Sequence, residues 1–326
     1  MAGEESVPLL LLLRPLPPFF HDALARKFRL LIPFPPQHHS SLPIHHFLTT
    51  HSSSIQAMLC TPLDSHSLDS ALLDCLPHLR CVASFSAGVD HIDVPECRRR
   101  GIAVTNAGTA FSEDVADYAV GLLIDVLRRI SASERYVRAG FWPQSGEYRP
   151  LGSKMSSGRV GIVGLGSIGM EIAKRLQPFG CRIAYTSRRR KPTVSFPYFS
   201  SACDLASESD VLILSCSLTD ETHHIINRDV LSALGKDGII INIGRGSLID
   251  EDELVRCLLQ GEVGGAGLDV FENEPHVPQG LFAMDNVVLS PHSAVLTPES
   301  FQTLLELTIG NLEAFFSNKP LQSVVE

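Results

Sequence analysis

Apolar residues in the first hundred positions come in short runs separated by amphipathic stretches. LLLLLR (9–14), IQAMLC (55–60), CVASFS (81–86) and IAVTN (102–106) have the length and make-up of strands. The spacing of apolar positions predicts helices over Phe19–Phe28 and in SALLDCLPHL (70–79). Apolar runs without polar alternation suit strands covered on both faces, and strands that alternate with helices imply a parallel sheet. A second series of the same kind starts at Arg159. RVGIVG, CRIAYTS (181–187), VLILSC (211–216), GIIINI (238–243) and GAGLDVF (265–271) read as strands. SIGMEIAKRLQPF (167–179) reads as a helix stopped by Gly180, and Asp250 as the cap of a helix through Leu259. Between the two series, Ser112–Ile130 carries Val115, Ala119, Leu122, Leu123 and Val126 at helical spacing with few charges in its middle, which predicts a helix that is buried or at an interface. RAGFWPQSGEYRPLGSK (138–154), with the only tryptophan, Trp142, reads as a loop. Thr297-Pro298 opens a last helix to about Phe316. The fold class is α/β, with two doubly wound parallel-sheet domains.

Composition narrows the partners. A chain of 326 residues is long enough for two cores, and its net charge of −9 excludes a broadly basic nucleic-acid surface. Eight cysteines are scattered without a CxxC pair, as in a reduced intracellular protein. VPLLLLL (7–13) follows Glu4 and Glu5 and ends at Arg14, so it reads as a buried first strand and neither a signal peptide nor a membrane span. The terminal QSVVE is no peroxisomal address, and a cytoplasmic protein without membrane partners is expected. Pro33–Ser54 holds His38, His39, His45, His46 and His51, but no cysteine or acid is spaced to complete a metal site, so it reads as a surface loop and short helix.

The chemistry-bearing motifs sit where strands end. VGIVGLGSIG (160–169) places Gly164, Gly166 and Gly169 in a GxGxxG pattern after a strand and at the start of a helix, with Leu165, Ser167 and Ile168 between them. There the first glycine allows the tight turn, the second lets backbone approach a pyrophosphate, and the third lets helix and strand pack closely. Where an NAD site usually has an acid, about 20 residues on, this chain has Ser187 followed by Arg188, Arg189 and Arg190. A carboxylate would repel a ribose 2′-phosphate, whereas Ser-Arg-Arg hydrogen-bonds and neutralises one, so the turn reads as selective for NADP over NAD; a solvated basic turn is the alternative. INIGRGSLID (241–250), GLDVFENEP (267–275) and LSPHSA (289–294) then put Arg245, Glu274 and His292 just past three successive strands, the edge where open α/β sheets bind ligands.

These motifs in this order, with eighteen residues from Glu274 to His292, resemble the D-isomer-specific 2-hydroxyacid dehydrogenase family over nearly the whole chain. Within it, SAGVDHID, FSEDVADYAVGLL, RRIS…RYVRAG, SLTDETHHIINR and GNLEAFFSNKPL are most similar to the plant glyoxylate/hydroxypyruvate and hydroxyphenylpyruvate reductases. The resemblance implies a discontinuous flavodoxin-like substrate domain (1–106 and 297–326) and an inserted Rossmann NADP-binding domain (107–296). It implies reduction of hydroxypyruvate to D-glycerate and of glyoxylate to glycolate, a place in photorespiration, and a homodimer. NADPH would deliver hydride to the carbonyl carbon of a small 2-oxo acid. Arg245 would grip the carboxylate and polarise the carbonyl, His292 would protonate its oxygen, and Glu274 would stabilise the imidazolium. By the same resemblance the Ser86-Ala87-Gly88 turn holds the substrate carboxylate across a cleft between the domains, and Ile243 and Asp269 lie on the nicotinamide side. His91, His223 and His224 match no motif and read as structural or solvated. Ser293-Ala294-Val295 departs from the common pattern after the histidine, which bears on substrate preference and not on reaction type. Two alternatives remain: 4-hydroxyphenylpyruvate as substrate, and a non-catalytic dinucleotide-sensing corepressor.

Overall fold

The computed structural model describes residues 7–33, 44–62, 64, 67–148 and 150–325. In chain order the first elements are β1 (Leu9–Leu12), α1 (Pro18–Ala25), β2 (Arg29–Leu31), α2 (Ile44–His51), β3 (Ala57–Cys60), α3 (Ser70–Asp74), β4 (Cys81–Ser84), α4 (Val94–Arg99) and β5 (Ala103–Thr105). Then come α5 (Ser112–Arg128), α6 (Ile130–Arg138), α7 (Phe141–Ser145), β6 (Arg159–Val163), α8 (Ser167–Leu176), β7 (Arg182–Thr186), β8 (Tyr198–Phe199) and α9 (Ala202–Ser207). The chain finishes with β9 (Val211–Leu214), α10 (Arg228–Leu234), β10 (Ile239–Asn242), α11 (Glu251–Gln260), β11 (Gly265–Leu268), β12 (Val287–Leu289) and α12 (Pro298–Phe316). Two compact units result. One holds the described residues up to Phe111 and those from Pro298 on; the other is Ser112–Thr297.

The first unit is a five-stranded parallel sheet of order β2-β1-β3-β4-β5, the doubly wound order of flavodoxins. β1 lies between two neighbours, which is why Leu10, Leu11 and Leu12 are buried and why the N-terminal apolar run carries no polar alternation. α12 returns to this unit and packs against β4.

The second unit is a seven-stranded parallel sheet of order β12-β11-β10-β9-β6-β7-β8. Counted within the unit this is 7-6-5-4-1-2-3, a Rossmann sheet with one added strand, and the order reverses between β6 and β9. α9, α10 and α11 cover one face through Leu205, Leu231, Leu254 and Leu258. On the opposite face, side chains at Gly265 and Gly267 would run into Leu122 and Val126, so these glycines let α5 press directly on β11. Asp250 caps α11 by accepting from the Glu253 N–H, an interaction of the kind worth about 1 kcal/mol.

Several expectations needed revision. The helix from Ser112 ends at Arg128, because Arg129 takes a left-handed conformation (φ 54°) and Asp125 accepts from the Ser131 N–H and hydroxyl to start α6 in a new direction. The segment read as a loop around Trp142 contains the short helix α7. β2, β8, α4, α9 and α10 are too short to give a periodic signal. In the histidine-rich stretch Ile44 and Leu48 bury one face of α2, while His38 and His39 lie outside the described residues.

Candidate active site

All seven strands of the second sheet are parallel, so their carboxyl ends share one edge, and the turns after β6, β7, β10, β11 and β12 open there. The turn after β6 is the glycine motif. Gly164 has φ +96°, and a side chain on it would collide with the Cys216 backbone at 2.5 Å. A side chain on Gly169 would meet the Gly164 carbonyl at 2.3 Å, so α8 starts tight against the turn. A side chain on Gly166 would meet nothing within 4 Å, leaving open space in front of the first N–H groups of α8. Leu165 is buried beneath the turn, Ser167 is exposed and Ile168 is partly so. The geometry fits a pyrophosphate: an uncovered helix N-terminus, backbone that can be approached closely, and no carboxylate in the turn. Burial pushes the neighbouring Cys216 thiol up to about 11, so it stays protonated and inert.

After β7 the chain makes a basic turn. Ser187 Oγ donates to the Arg189 carbonyl at 2.8 Å, and the Tyr198 hydroxyl donates to the Ser187 carbonyl at 3.3 Å. Arg188, Arg189 and Arg190 are exposed. Among the described residues none of their guanidinium groups forms an ion pair or a hydrogen bond.

The three charged candidates stand on a framework of buried polar groups. Asn242, 1% exposed at the end of β10, donates to the Arg245 carbonyl at 2.8 Å and accepts from the Gly244 N–H at 3.1 Å, folding the turn that presents Arg245. Gly246 is stacked on the next segment so closely that a side chain would lie 1.9 Å from the Phe271 carbonyl carbon. Asp269, also 1% exposed, follows β11. Its carboxylate accepts from Ser290 Oγ (2.6 Å), Ser293 N–H (2.9 Å) and Ala294 N–H (3.0 Å), and its carbonyl accepts from the His292 N–H (2.7 Å). These bonds hold His292 at φ +52°, a conformation that costs a non-glycine residue about 1 kcal/mol or more. Ser293 is fixed further by a 2.9 Å hydrogen bond to the Tyr118 hydroxyl of α5.

His292 Nδ1 lies 2.9 Å from Glu274 Oε2, and Glu274 Oε1 accepts from the Phe271 N–H at 3.0 Å. Burial alone would raise the Glu274 carboxyl. The hydrogen bonds from His292 and Phe271 and the charges of His292 and Arg245 outweigh it and hold the group below its ordinary value. Glu274 is therefore an anion at neutral pH, an acceptor only, so Nδ1 carries the proton. Arg245 is close enough for its charge to act on Glu274. Arg245, Glu274 and His292 thus gather on one edge, Ile243 is buried at the end of β10, and Asp269 acts as the clamp of the His292 loop. The Ser86-Ala87-Gly88 turn belongs to the other unit. Ser86 Oγ donates to the Gly88 carbonyl at 2.6 Å, and among the described residues nothing accepts from the Ala87 or Gly88 N–H. Asn242 was not singled out in the sequence, although a lone polar residue closing the run IIIN was a usable signal.

A Rossmann unit whose sheet edge gathers an arginine and a carboxylate-held histidine beside a phosphate-binding turn defines a dinucleotide-dependent oxidoreductase. Residues 120–294 match the family described as D-isomer specific 2-hydroxyacid dehydrogenase, NAD binding domain. The chain belongs to this family. It is 54% identical over 327 residues to the glyoxylate/hydroxypyruvate reductase HPR3 of Arabidopsis thaliana, covering 100% of this chain and 99% of the relative. It is 48% identical over 279 residues to the hydroxyphenylpyruvate reductase of Plectranthus scutellarioides, covering 86% and 88%. Among solved structures it resembles the NADPH-dependent glyoxylate/hydroxypyruvate reductase of Sinorhizobium meliloti in complex with NADP and malonate. The TM-score is 0.88 at 36% identity, with 98% of this chain and 97% of the other covered.

Proposed function

We propose that the protein reduces hydroxypyruvate to D-glycerate and glyoxylate to glycolate with NADPH. The observation that carries the reaction type is the 2.9 Å Glu274–His292 pair beside Arg245 on the switch edge of a Rossmann sheet. When bound, the dinucleotide supplies the hydride. Arg245 binds the substrate carboxylate and draws charge onto the carbonyl oxygen. His292 presents Nε2–H to that oxygen, because Nδ1 is engaged by Glu274, and transfers the proton as charge develops. Glu274 stabilises the imidazolium from which this proton leaves and fixes the ring, and the transfer leaves a neutral imidazole that keeps its proton at Nδ1. The N–H groups of Ala87 and Gly88 form a carboxylate-binding turn in their own unit.

Gly164–Gly169 take the pyrophosphate, Ile243 borders the nicotinamide, and Ser187, Arg188 and Arg189 take the 2′-phosphate. Preference for NADPH rests on the three arginines without a carboxylate partner and on the NADP-bound relative. Hydroxypyruvate and glyoxylate rest on the Arabidopsis relative. The hydroxyphenylpyruvate reductase at 48% identity makes 4-hydroxyphenylpyruvate the second reading. A homodimer is supported by the exposed Ile130, Val137, Phe141, Trp142 and Leu151 on and around α6 and α7. A cytoplasmic location is supported by the free cysteines, and a role in photorespiratory carbon recycling rests on the proposed substrates alone. No helix of the described residues is long and apolar enough to cross a membrane.

The test is a matrix of initial rates: NADPH or NADH crossed with hydroxypyruvate, glyoxylate, pyruvate and 4-hydroxyphenylpyruvate. The expected result is fastest turnover with NADPH and the two small acids. Faster turnover of 4-hydroxyphenylpyruvate selects the second reading. Cofactor affinity with no turnover of any acid overturns the enzyme assignment in favour of a dinucleotide sensor.

A further inference from the structure

Two histidines that match no sequence motif come together with an acid on the same unit. After β9 the chain forms a turn in which the Thr222 hydroxyl donates to the Ser217 carbonyl at 2.8 Å and accepts from the Thr219 N–H at 2.7 Å. The His223 N–H donates to the Thr219 carbonyl at 2.9 Å and the His224 N–H to the Ser247 carbonyl at 2.8 Å, so both histidines have a fixed backbone. His224 sits at φ +50°, in the left-handed region. The two imidazoles stack with centroids 4.0 Å apart and planes at 26°. His224 Nε2 lies 2.8 Å from Glu272 Oε1. Glu272 is anchored in turn, since its N–H donates to the Glu251 carboxylate at 3.2 Å.

We propose that His223, His224 and Glu272 form a binding site for one divalent transition-metal ion of the zinc class. One ligand atom from each residue lies within 4.8 Å of the others, and rotation of the side chains, with the imidazoles turning out of their stack so that their in-plane lone pairs converge, closes that triangle on a tetrahedral ion. Among the described residues, neither nitrogen of the exposed His223 ring makes a hydrogen bond, so its lone pair is available. Two imidazoles and one carboxylate suit zinc, cobalt, nickel or copper rather than calcium or magnesium, which take oxygen ligands. Three protein ligands leave a fourth position for water. Asp220 and Glu221, both exposed, precede the turn and add attraction for a cation. The bound ion ties the Thr222–His224 turn to the segment that carries Glu274 two residues further on, so the site adjoins the proposed reaction centre without using its residues.

The test is titration of the full-length, chelator-treated protein with Co²⁺, followed by visible spectroscopy and then by displacement with Zn²⁺. One equivalent is expected to give d–d bands of a tetrahedral site without sulfur-to-metal charge transfer, and Zn²⁺ to abolish them. His223→Ala removes an exposed ring and leaves the His224–Glu272 pair intact; Glu272→Gln keeps a hydrogen-bonding partner for His224. Each is expected to weaken Co²⁺ binding at least about tenfold. Unchanged affinity in both variants, charge transfer from a cysteine sulfur, or no d–d bands at saturating Co²⁺ would overturn the proposal. The readout is independent of turnover, so it stands or falls separately from the reductase assignment.

Discussion

The turn after β7 and the turns after β10, β11 and β12 lie on the same sheet edge and are built in opposite ways. Around Arg245 and His292, buried polar groups hold the functional side chains in place: Asn242 folds the arginine turn, Asp269 gathers three donors from the histidine loop, and Phe271 and His292 share the Glu274 carboxylate. The Ser187–Arg190 turn has three guanidinium groups in water and no acid to meet them. The first arrangement is organised before anything binds, as the proposed proton transfer requires. The second would gain energy only on meeting an anion such as the proposed 2′-phosphate. Substitutions in the two places should therefore fail differently.

His292→Ala tests the organised side hardest. It should lower kcat by about 10²–10⁴-fold with little change in cofactor affinity, measured by steady-state rates and by fluorescence titration of NADPH. A fall below tenfold would remove His292 from the proton-transfer role. Next comes Arg188→Ala combined with Arg189→Ala. The KM for NADPH should rise about 10–100-fold while the KM for NADH stays within a few fold, because only the 2′-phosphate is lost as a partner. An equal rise for both cofactors would mean that the turn positions the ribose generally. Asp269→Asn should cost about 1–3 kcal/mol of unfolding free energy, since an amide nitrogen must face an N–H donor, and should reduce kcat through misplacement of His292. Denaturant melts compared with rates separate the two losses. The smallest effect concerns acid. Glu274 has a folded-state value below its ordinary 4.5, so it contributes stability above about that pH and loses it as pH falls through the lowered value. Glu274→Gln should flatten the stability profile in that window and nowhere else, by a modest amount because the carboxylate is about a third exposed.

The two regions also differed in how far they could be read from the chain. The glycine turn, the Arg245, Glu274 and His292 positions and the strands leading to them were visible because each follows a buried apolar run and the strand ends converge. The clamp role of Asp269 was not visible, since its partners Ser290, Ser293 and Ala294 become neighbours only when β11 and β12 pair. The break at Arg129 depends on Asp125 reaching forward to Ser131, a local hydrogen bond that apolar periodicity does not record. His223 and His224 lay in a turn without periodicity, and Glu272, 48 residues later, meets them only through the pairing of β9, β10 and β11.

The 1.9 Å that would separate a Gly246 side chain from the Phe271 carbonyl carbon has a consequence for motion. With backbone resting on backbone there is no compliant side chain between the loop of Arg245 and the segment of Glu274. A displacement of one should therefore carry the other with it. Arg245 and Glu274, in the roles proposed for them, would thus keep their spacing while the surrounding surface fluctuates, and a single methyl group at Gly246 would separate them.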